Sequence, residues 1–352
     1  MDLGTRDIVV TGAAGWLGTR LVDTLAHGLA DHPALASADS GVRIRALALP
    51  GSDTVALRAV SDRVEVVEGD LTLPEDCARL MSGTERAVIF HIAGVIHPRR
   101  VDEFYRVNVD GTRHLLRAAA DAAARRAVVM SSNSPIGLNP HRDHVFTEQS
   151  PYHPYMNYGR SKMLMEIAVR ELREQGPLES VIVRAPWFYG PWQPPRQTLF
   201  FTMIRDGKVP IVGDGENRRS MAYLDNLCQG LMLAALTKAA DRQVFWIADE
   251  RPYTMNEIVD TVERLLEKEF GQTCAHKRMR LPGLVADLAM FADAAIQSLG
   301  AYQQKLHVLS EMNRTIACDI SRAQAELGYR PAVALEEGMR RSLRWCIGQG
   351  QL

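Results

Sequence analysis

Tyr158 and Lys162 stand four residues apart in Tyr158-Gly-Arg-Ser-Lys162, and the stretch Met163 to Glu174 that follows has helical composition and no proline. On a helix this spacing puts the phenol and the ammonium on one face. Tyr152 and Tyr155 fail that test, because Met156 and Gly159 lie four residues after them. A free phenol titrates at about pH 10, too high for a base at neutral pH. A neighbouring ammonium stabilises phenolate, so the pair predicts a Tyr158 of lowered pKa that exchanges a proton with a substrate hydroxyl. Upstream, an apolar run ends in Met130-Ser131-Ser132-Asn133-Ser134-Pro135, whose hydroxyls could hold the same oxygen. The chemistry implied is proton transfer at an alcohol or a carbonyl.

The start of the chain supplies the other half. Ile8-Val-Val-Thr-Gly12-Ala-Ala-Gly15-Trp-Leu-Gly18 is a β-branched run entering a glycine-rich turn, and Thr19 to Ala26 continues as a helix. Gly12 allows the tight turn, Gly15 lets backbone amides approach a pyrophosphate, and Gly18 lets the helix pack on the strand. Amides at the helix start then face the phosphates with the favourable end of the helix dipole. Ala14, Trp16 and Leu17 belong to the same expected cofactor cradle. Further strands are expected at Val42–Leu49, Arg63–Glu68, Ala87–Gly94 and Ala127–Ser131, and one long helix over Val101–Ala124. Such alternation implies a parallel sheet covered on both faces. Ala93 and Gly94 form a small-residue turn where a cofactor could pass. Asp70, just past the third strand, could accept a hydrogen bond from an adenine, or could be a simple turn aspartate. An acidic residue ending the second strand would favour NAD, and an arginine there NADP. The chain has Leu49-Pro-Gly-Ser52, with Asp53 late and Arg45 inside the strand. The expected cofactor is NAD or NADP, leaning to NAD because no arginine ends the strand.

Composition narrows the remaining classes. The 352 residues are 46% hydrophobic and 24% charged, with a formal net charge of -1, ordinary for a globular enzyme and no case for nucleic acid. Five scattered cysteines, without CxxC or Cys/His ligand spacing, argue against disulfide scaffolding and a metal site, and make a reducing cytoplasm the expected compartment. The first strand begins too early to leave room for a signal peptide. The apolar segment Leu281–Ile296 is interrupted by Asp287 and Asp293, too short and too charged to span a bilayer. It could lie on a membrane or line a pocket; an amphipathic packing helix is the favoured expectation.

In this order the motifs resemble the extended short-chain dehydrogenase/reductase superfamily, in its NAD-dependent epimerase/dehydratase branch. The resemblance covers essentially the whole chain. It rests on the glycine turn, Gly69-Asp-Leu71, His91-Ile-Ala-Gly94, Asn108-Val-Asp-Gly-Thr112, Ser131-Ser132, Tyr158-Gly-Arg-Ser-Lys162, Arg184-Ala-Pro-Trp-Phe-Tyr-Gly-Pro191, Ser220 to Leu227 and Asp319 to Pro331. It implies a doubly wound Rossmann domain over residues 1–190. Residues 191–352 would be mostly a substrate lobe, interleaved with late sheet elements. It implies a catalytic triad of Ser132, Tyr158 and Lys162. Ser132 is chosen over Ser131 by counting back from Gly137. Lys162 would hold the nicotinamide ribose, Asp70 and Leu71 would border the adenine, and Pro186 would turn past the nicotinamide. Asn108 would have a mainly structural role, and the chain would form a homodimer through a four-helix bundle.

Two substrates compete. Arg219 stands where nucleotide-sugar epimerases and dehydratases carry an arginine for the diphosphate, which a guanidinium suits. Trp187 stands where those enzymes usually have asparagine. With Arg184-x-Pro186 and Phe188, it resembles the 3β-hydroxysteroid dehydrogenase and dihydroflavonol reductase branches, whose substrates are apolar. Ser134, Trp187 and Arg219 are the expected substrate contacts. We place a 3β-hydroxysteroid-like or related apolar alcohol or ketone first, a nucleotide sugar as the alternative, and a catalytically silent NAD(P)-sensing protein last.

Overall fold

The structure, a computed structural model, describes residues 2–352. Val- and Ile-rich runs form the strands β1 (Asp7–Thr11), β2 (Arg43–Ala48), β3 (Val64–Glu68), β4 (Val88–His91), β5 (Arg126–Ser132), β6 (Glu179–Ala185) and β7 (Val244–Trp246). They pair in the order β7-β6-β5-β4-β1-β2-β3, parallel throughout. The order reverses between β1 and β4, which makes the crevice above their carboxyl ends the ligand-binding position of a doubly wound sheet. The inner strands are apolar along their whole length because both faces are covered. One apolar cluster packs helices Trp16–His27 and Leu224–Leu236 on the first face. The second packs Pro74–Met81, Gly111–Asp121 and Met156–Arg173 on the other.

A third cluster, around Phe201, Ile204, Ile258, Val262 and Leu343, holds a smaller lobe together. The chain enters that lobe after β6, returns to the main sheet with Leu224–Leu236 and β7, and leaves again. The single long helix expected over Val101–Ala124 is divided. A turn Asp102–Tyr105 leads into a π-helical turn Arg106–Asp110, then into the helix Gly111–Asp121. The wider turn rotates Asn108 into the interior, and such turns recur at functional sites. The expectation of an apolar packing face on Leu281–Ile296 is overturned. The helix Gly283–Ser298 buries Ala286, Ala289, Asp293 and Gln297 and leaves Leu284, Leu288 and Phe291 exposed.

Candidate active site

Close backbone approach builds the glycine cradle. A Cβ on Gly18 would sit 2.1 Å from the Gly12 carbonyl oxygen, so only glycine lets the helix start against the turn. The helix Trp16–His27 is preceded by Gly15, and no side chain caps it. Its first amides are therefore left for an anion. A Cβ on Gly12 would meet the Ala93 backbone at 2.8 Å, which brings the turns after β1 and β4 together. These features fit a dinucleotide pyrophosphate. The Leu17 and Leu71 side chains are buried in the core, so only their backbones could face a cofactor. The Trp16 indole N–H donates to the Pro191 carbonyl at 2.6 Å and its ring meets Phe188 at 5.0 Å, tying the cradle to the small lobe.

At the adenosine end, Asp70 Oδ1 accepts from the Thr72 amide at 2.8 Å, the bond of a turn aspartate. The Asp70 amide is held by Asp76 at 2.7 Å. The Arg45 guanidinium donates to the carbonyls of Leu80 (2.6 Å) and Ser82 (2.9 Å). It is committed to that helix end and leaves no basic group at the close of β2, where Leu49 is exposed.

Tyr158 and Lys162 lie on the helix Met156–Arg173, whose first turn docks directly on the serine loop. A Cβ on Gly159 would sit 2.4 Å from the Ser134 carbonyl oxygen, and the same carbonyl accepts from the Tyr155 amide at 3.0 Å. Strand alternation then separates the two serines of β5. Ser131 Oγ points away from the cleft and donates to Glu166 at 2.6 Å. Ser132 Oγ lies on the cleft side, 3.4 Å from Ser134 Oγ, and interacts with the Tyr158 phenol. Ser132, Ser134, Tyr158 and Lys162 are thus brought together. Phe104 walls Tyr158 on one side at 5.7 Å between ring centroids, and Tyr302 packs on Phe104.

Lys162 is buried, and its ammonium donates to the Met130 carbonyl at 2.7 Å. Gly94 leaves the space before it open; a Cβ there would come within 3.8 Å of Nζ. Asn108 pins the opposite wall. Its amide group exchanges hydrogen bonds with the Val95 backbone at 2.8 and 3.1 Å and donates to Ser161 Oγ at 3.0 Å. Ser161 in turn donates to the Tyr158 carbonyl at 2.8 Å. Behind it, buried His91 lies between the hydroxyls of Thr11 (2.7 Å) and Thr112 (2.8 Å). Burial, helped by the Lys162 charge, lowers the His91 pKa to about 3, so its neutral ring is a structural link between β1, β4 and the helix Gly111–Asp121.

The expected lowering of the Tyr158 pKa does not hold in this state. Burial raises it to about 12; the Ser132 hydroxyl acts downward and the Glu311 charge upward. Burial pulls Lys162 down to about 8, the Glu166 charge opposing it. Desolvation sets both shifts, and the expected pairing does not act on the phenol: the Lys162 ammonium is held by the Met130 carbonyl. At neutral pH the pair is therefore a neutral phenol beside a charged ammonium.

Three groups of consequence were missed from the sequence. Glu166 continues the Tyr158–Lys162 stripe by one more turn, which was the available signal. It is fully buried and receives Arg184 at 2.7 and 3.0 Å, Tyr152 at 2.7 Å and Ser131. Burial pushes its carboxyl up, and Arg184 together with the Ser131 and Tyr152 hydroxyls more than reverses this, holding it below the usual range. Arg184, read from sequence only as part of a motif, is thereby structural. Asp249, also buried, accepts from Tyr189 and from the Tyr223 amide at 2.8 Å each; nothing in its local sequence marks it. Glu311 acts on both Tyr158 and Arg219 from the small lobe.

The model of the NAD dependent epimerase/dehydratase family matches residues 8–248. The chain belongs to this family. It is an extended short-chain dehydrogenase/reductase, of a family described as NAD-dependent. The uncharacterized protein y4nL of Sinorhizobium fredii is 53% identical over 98% of this chain and 96% of its own length. The 3beta-hydroxysteroid-dehydrogenase/decarboxylase isoform 1 of Arabidopsis thaliana is 28% identical over 96% of this chain and 79% of its own length. Among solved structures, DesIV of Streptomyces venezuelae, a dTDP-glucose 4,6-dehydratase with NAD and TYD bound, superposes with a TM-score of 0.74 at 26% identity. That match covers 97% of each chain. Of the expected substrate contacts, Trp187 packs edge-on against Phe200 at 5.6 Å, and Arg219 lies beside Glu311. Pro186 is buried at the turn from β6 into the short strand Trp187–Tyr189.

Proposed function

We propose that this chain is an NAD-dependent epimerase or dehydratase acting at a secondary alcohol of a diphosphate-linked sugar. The observation that carries the reading is Arg219. It sits on the short strand Arg218–Arg219, paired with Tyr253, and its guanidinium donates to the Glu311 carbonyl oxygen. It forms no ion pair with a described residue, while burial disfavours its charge. A buried guanidinium held by a backbone carbonyl, with the Glu311 charge acting on it but no paired carboxylate contact, is suited to a diphosphate, whose oxygens match its fork. The apolar reading rests on Trp187, Phe188 and Phe200. These rings are taken up by one another and by Trp16, so they supply a wall and no charged anchor.

NAD, when bound in the glycine cradle, supplies the hydride acceptor. The protein handles the proton. The Ser132 hydroxyl donates to the substrate oxygen, and Tyr158 exchanges a proton with that oxygen as the carbon gains or loses hydride. With its phenol neutral, Tyr158 is poised as the acid toward a carbonyl. Removing a proton from an alcohol requires the phenolate, and Ser132 and the Lys162 ammonium are the groups able to stabilise it. Lys162 and Asn108 fix the helix and the β4 turn around the ribose position.

The test is a titration of the NAD-loaded protein with UDP, dTDP and GDP, read as thermal shift. At least one should stabilise the wild type in a saturable way. Arg219→Met should weaken it roughly 10- to 100-fold, the ~1.5–3 kcal/mol of hydrogen bonds to a charged group. A wild type indifferent to every nucleoside diphosphate would overturn the sugar reading and return the apolar alcohol.

A further inference from the structure

We infer that the helix Gly283–Ser298 is a surface anchor that lies on an anionic lipid bilayer. Its amphipathicity is inside out. The inward side is Ala286, Ala289, Asp293 and Gln297, with Asp293 accepting from Gln297 at 2.9 Å and paired with His307 at 2.7 Å. The outward side carries Leu284 at 65%, Leu288 at 60% and Phe291 at 68% exposure, and Leu299 at 86% follows the last turn. Val308 on the next helix extends the patch. Helices of a folded domain turn such stripes inward, and a stripe held outward by buried polar contacts needs a cover.

Charge selects the cover. Lys277 and Arg280 precede the helix, and Lys305 follows it. The Val101 amide bonds the Gly300 carbonyl at 3.1 Å and Arg100 bridges to Ala301, which places exposed Arg99 beside the helix end. None of Lys277, Arg280, Lys305 and Arg99 forms an ion pair with a described residue. Of the helix's carboxylates, Asp293 is drawn into the interior, and Asp287, half-exposed on the side of Leu284 and Phe291, is neutralised by its ion pair with Arg314. An apolar stripe rimmed by cations fits the headgroup and acyl boundary of an anionic leaflet. A second copy seated on the same stripe would set the two basic rims against each other. No helix among the described residues is long and apolar enough to cross a membrane, so the contact is interfacial. Its inward side reaches the active site: Gln297 accepts from the Asn157 side chain at 2.9 Å, next to Tyr158. The bilayer would lie beside the cleft.

Flotation of the full NAD-loaded chain with phosphatidylcholine vesicles, with and without phosphatidylglycerol, tests this. The expected result is co-flotation with the phosphatidylglycerol vesicles. It should be weakened by salt and reduced on the order of tenfold or more in a Leu288→Glu/Phe291→Glu variant that keeps its NAD-dependent thermal shift. Phe291→Trp keeps the surface apolar, and the emission it adds to that of the wild type should shift to the blue with the same vesicles. No partition on either vesicle, equal partition of wild type and double variant, an unshifted added emission in Phe291→Trp, or a double variant altered only in oligomeric mass would each overturn the inference.

Discussion

Lys162→Met should nearly abolish turnover while making the cofactor-free protein more stable at neutral pH. The ammonium is buried with one carbonyl partner, Met130, and its pKa falls from 10.5 to about 8. The sign follows from linkage. Below pH 8 both states carry the charge and the folded state bears the full desolvation penalty. Between pH 8 and 10.5 the unfolded chain binds more protons, so wild-type stability rises with pH. The shift corresponds to about 3 kcal/mol. The unsatisfied Met130 carbonyl in the variant offsets about 1–3 kcal/mol of it. Urea unfolding at a series of pH values should show the difference between the two proteins moving toward the wild type by about 3 kcal/mol across that window. A difference flat with pH would mean that Lys162 is not held charged in the interior. A residue kept at such an expense in stability is one whose charge is used.

Arg184→Met should be the most destabilising single change at the periphery of the site. Arg184 and Glu166 are 2% and 0% exposed and meet at 2.7 Å. Removing the cation strands a buried carboxylate, which costs roughly 3–5 kcal/mol. Ser131 and Tyr152 remain to share it, so the lower part of that range applies. A well-packed double variant, Arg184→Met/Glu166→Met, should recover much of the loss, since the isolated charge is the source of the penalty. Urea midpoints of the single and double variants decide this. A double variant weaker than the sum of the singles would place the stabilisation in the pair itself.

The parts of the molecule that were legible beforehand are those written locally. The first five strands of the sheet start within a residue of their apolar runs, as for Val42–Leu49 and β2, whereas β4 stops at His91, short of Gly94, and the bounds of β6 and β7 were not foreseen. The glycine turn announced its own crowding, and Tyr158 and Lys162 their common face. What was not legible depends on distant neighbours. The π-helical turn at Asn108 is set by Val95 and Ser161, which the chain brings from either side. The phenol of Tyr158 was expected to be lowered by a cation one turn away, and burial reverses the sign. Glu166 finds Arg184 on β6, and Arg219 meets the Glu311 backbone carbonyl while the Glu311 charge acts on it from the small lobe. The inverted face of Gly283–Ser298 arises the same way, since Asp293 and Gln297 are drawn inward by His307 and Asn157.

In the proposed reaction Tyr158 moves the proton while NAD takes the hydride. The most direct test mixes NAD-loaded protein with the nucleoside-diphosphate sugar that stabilises it most, and follows the absorbance of reduced nicotinamide in a single turnover. Wild type should form the reduced cofactor. Tyr158→Phe should bind NAD and sugar with unchanged affinity and form it on the order of 100- to 10,000-fold more slowly, the usual contribution of a positioned acid or base. Reduction at the wild-type rate in Tyr158→Phe would contradict the account.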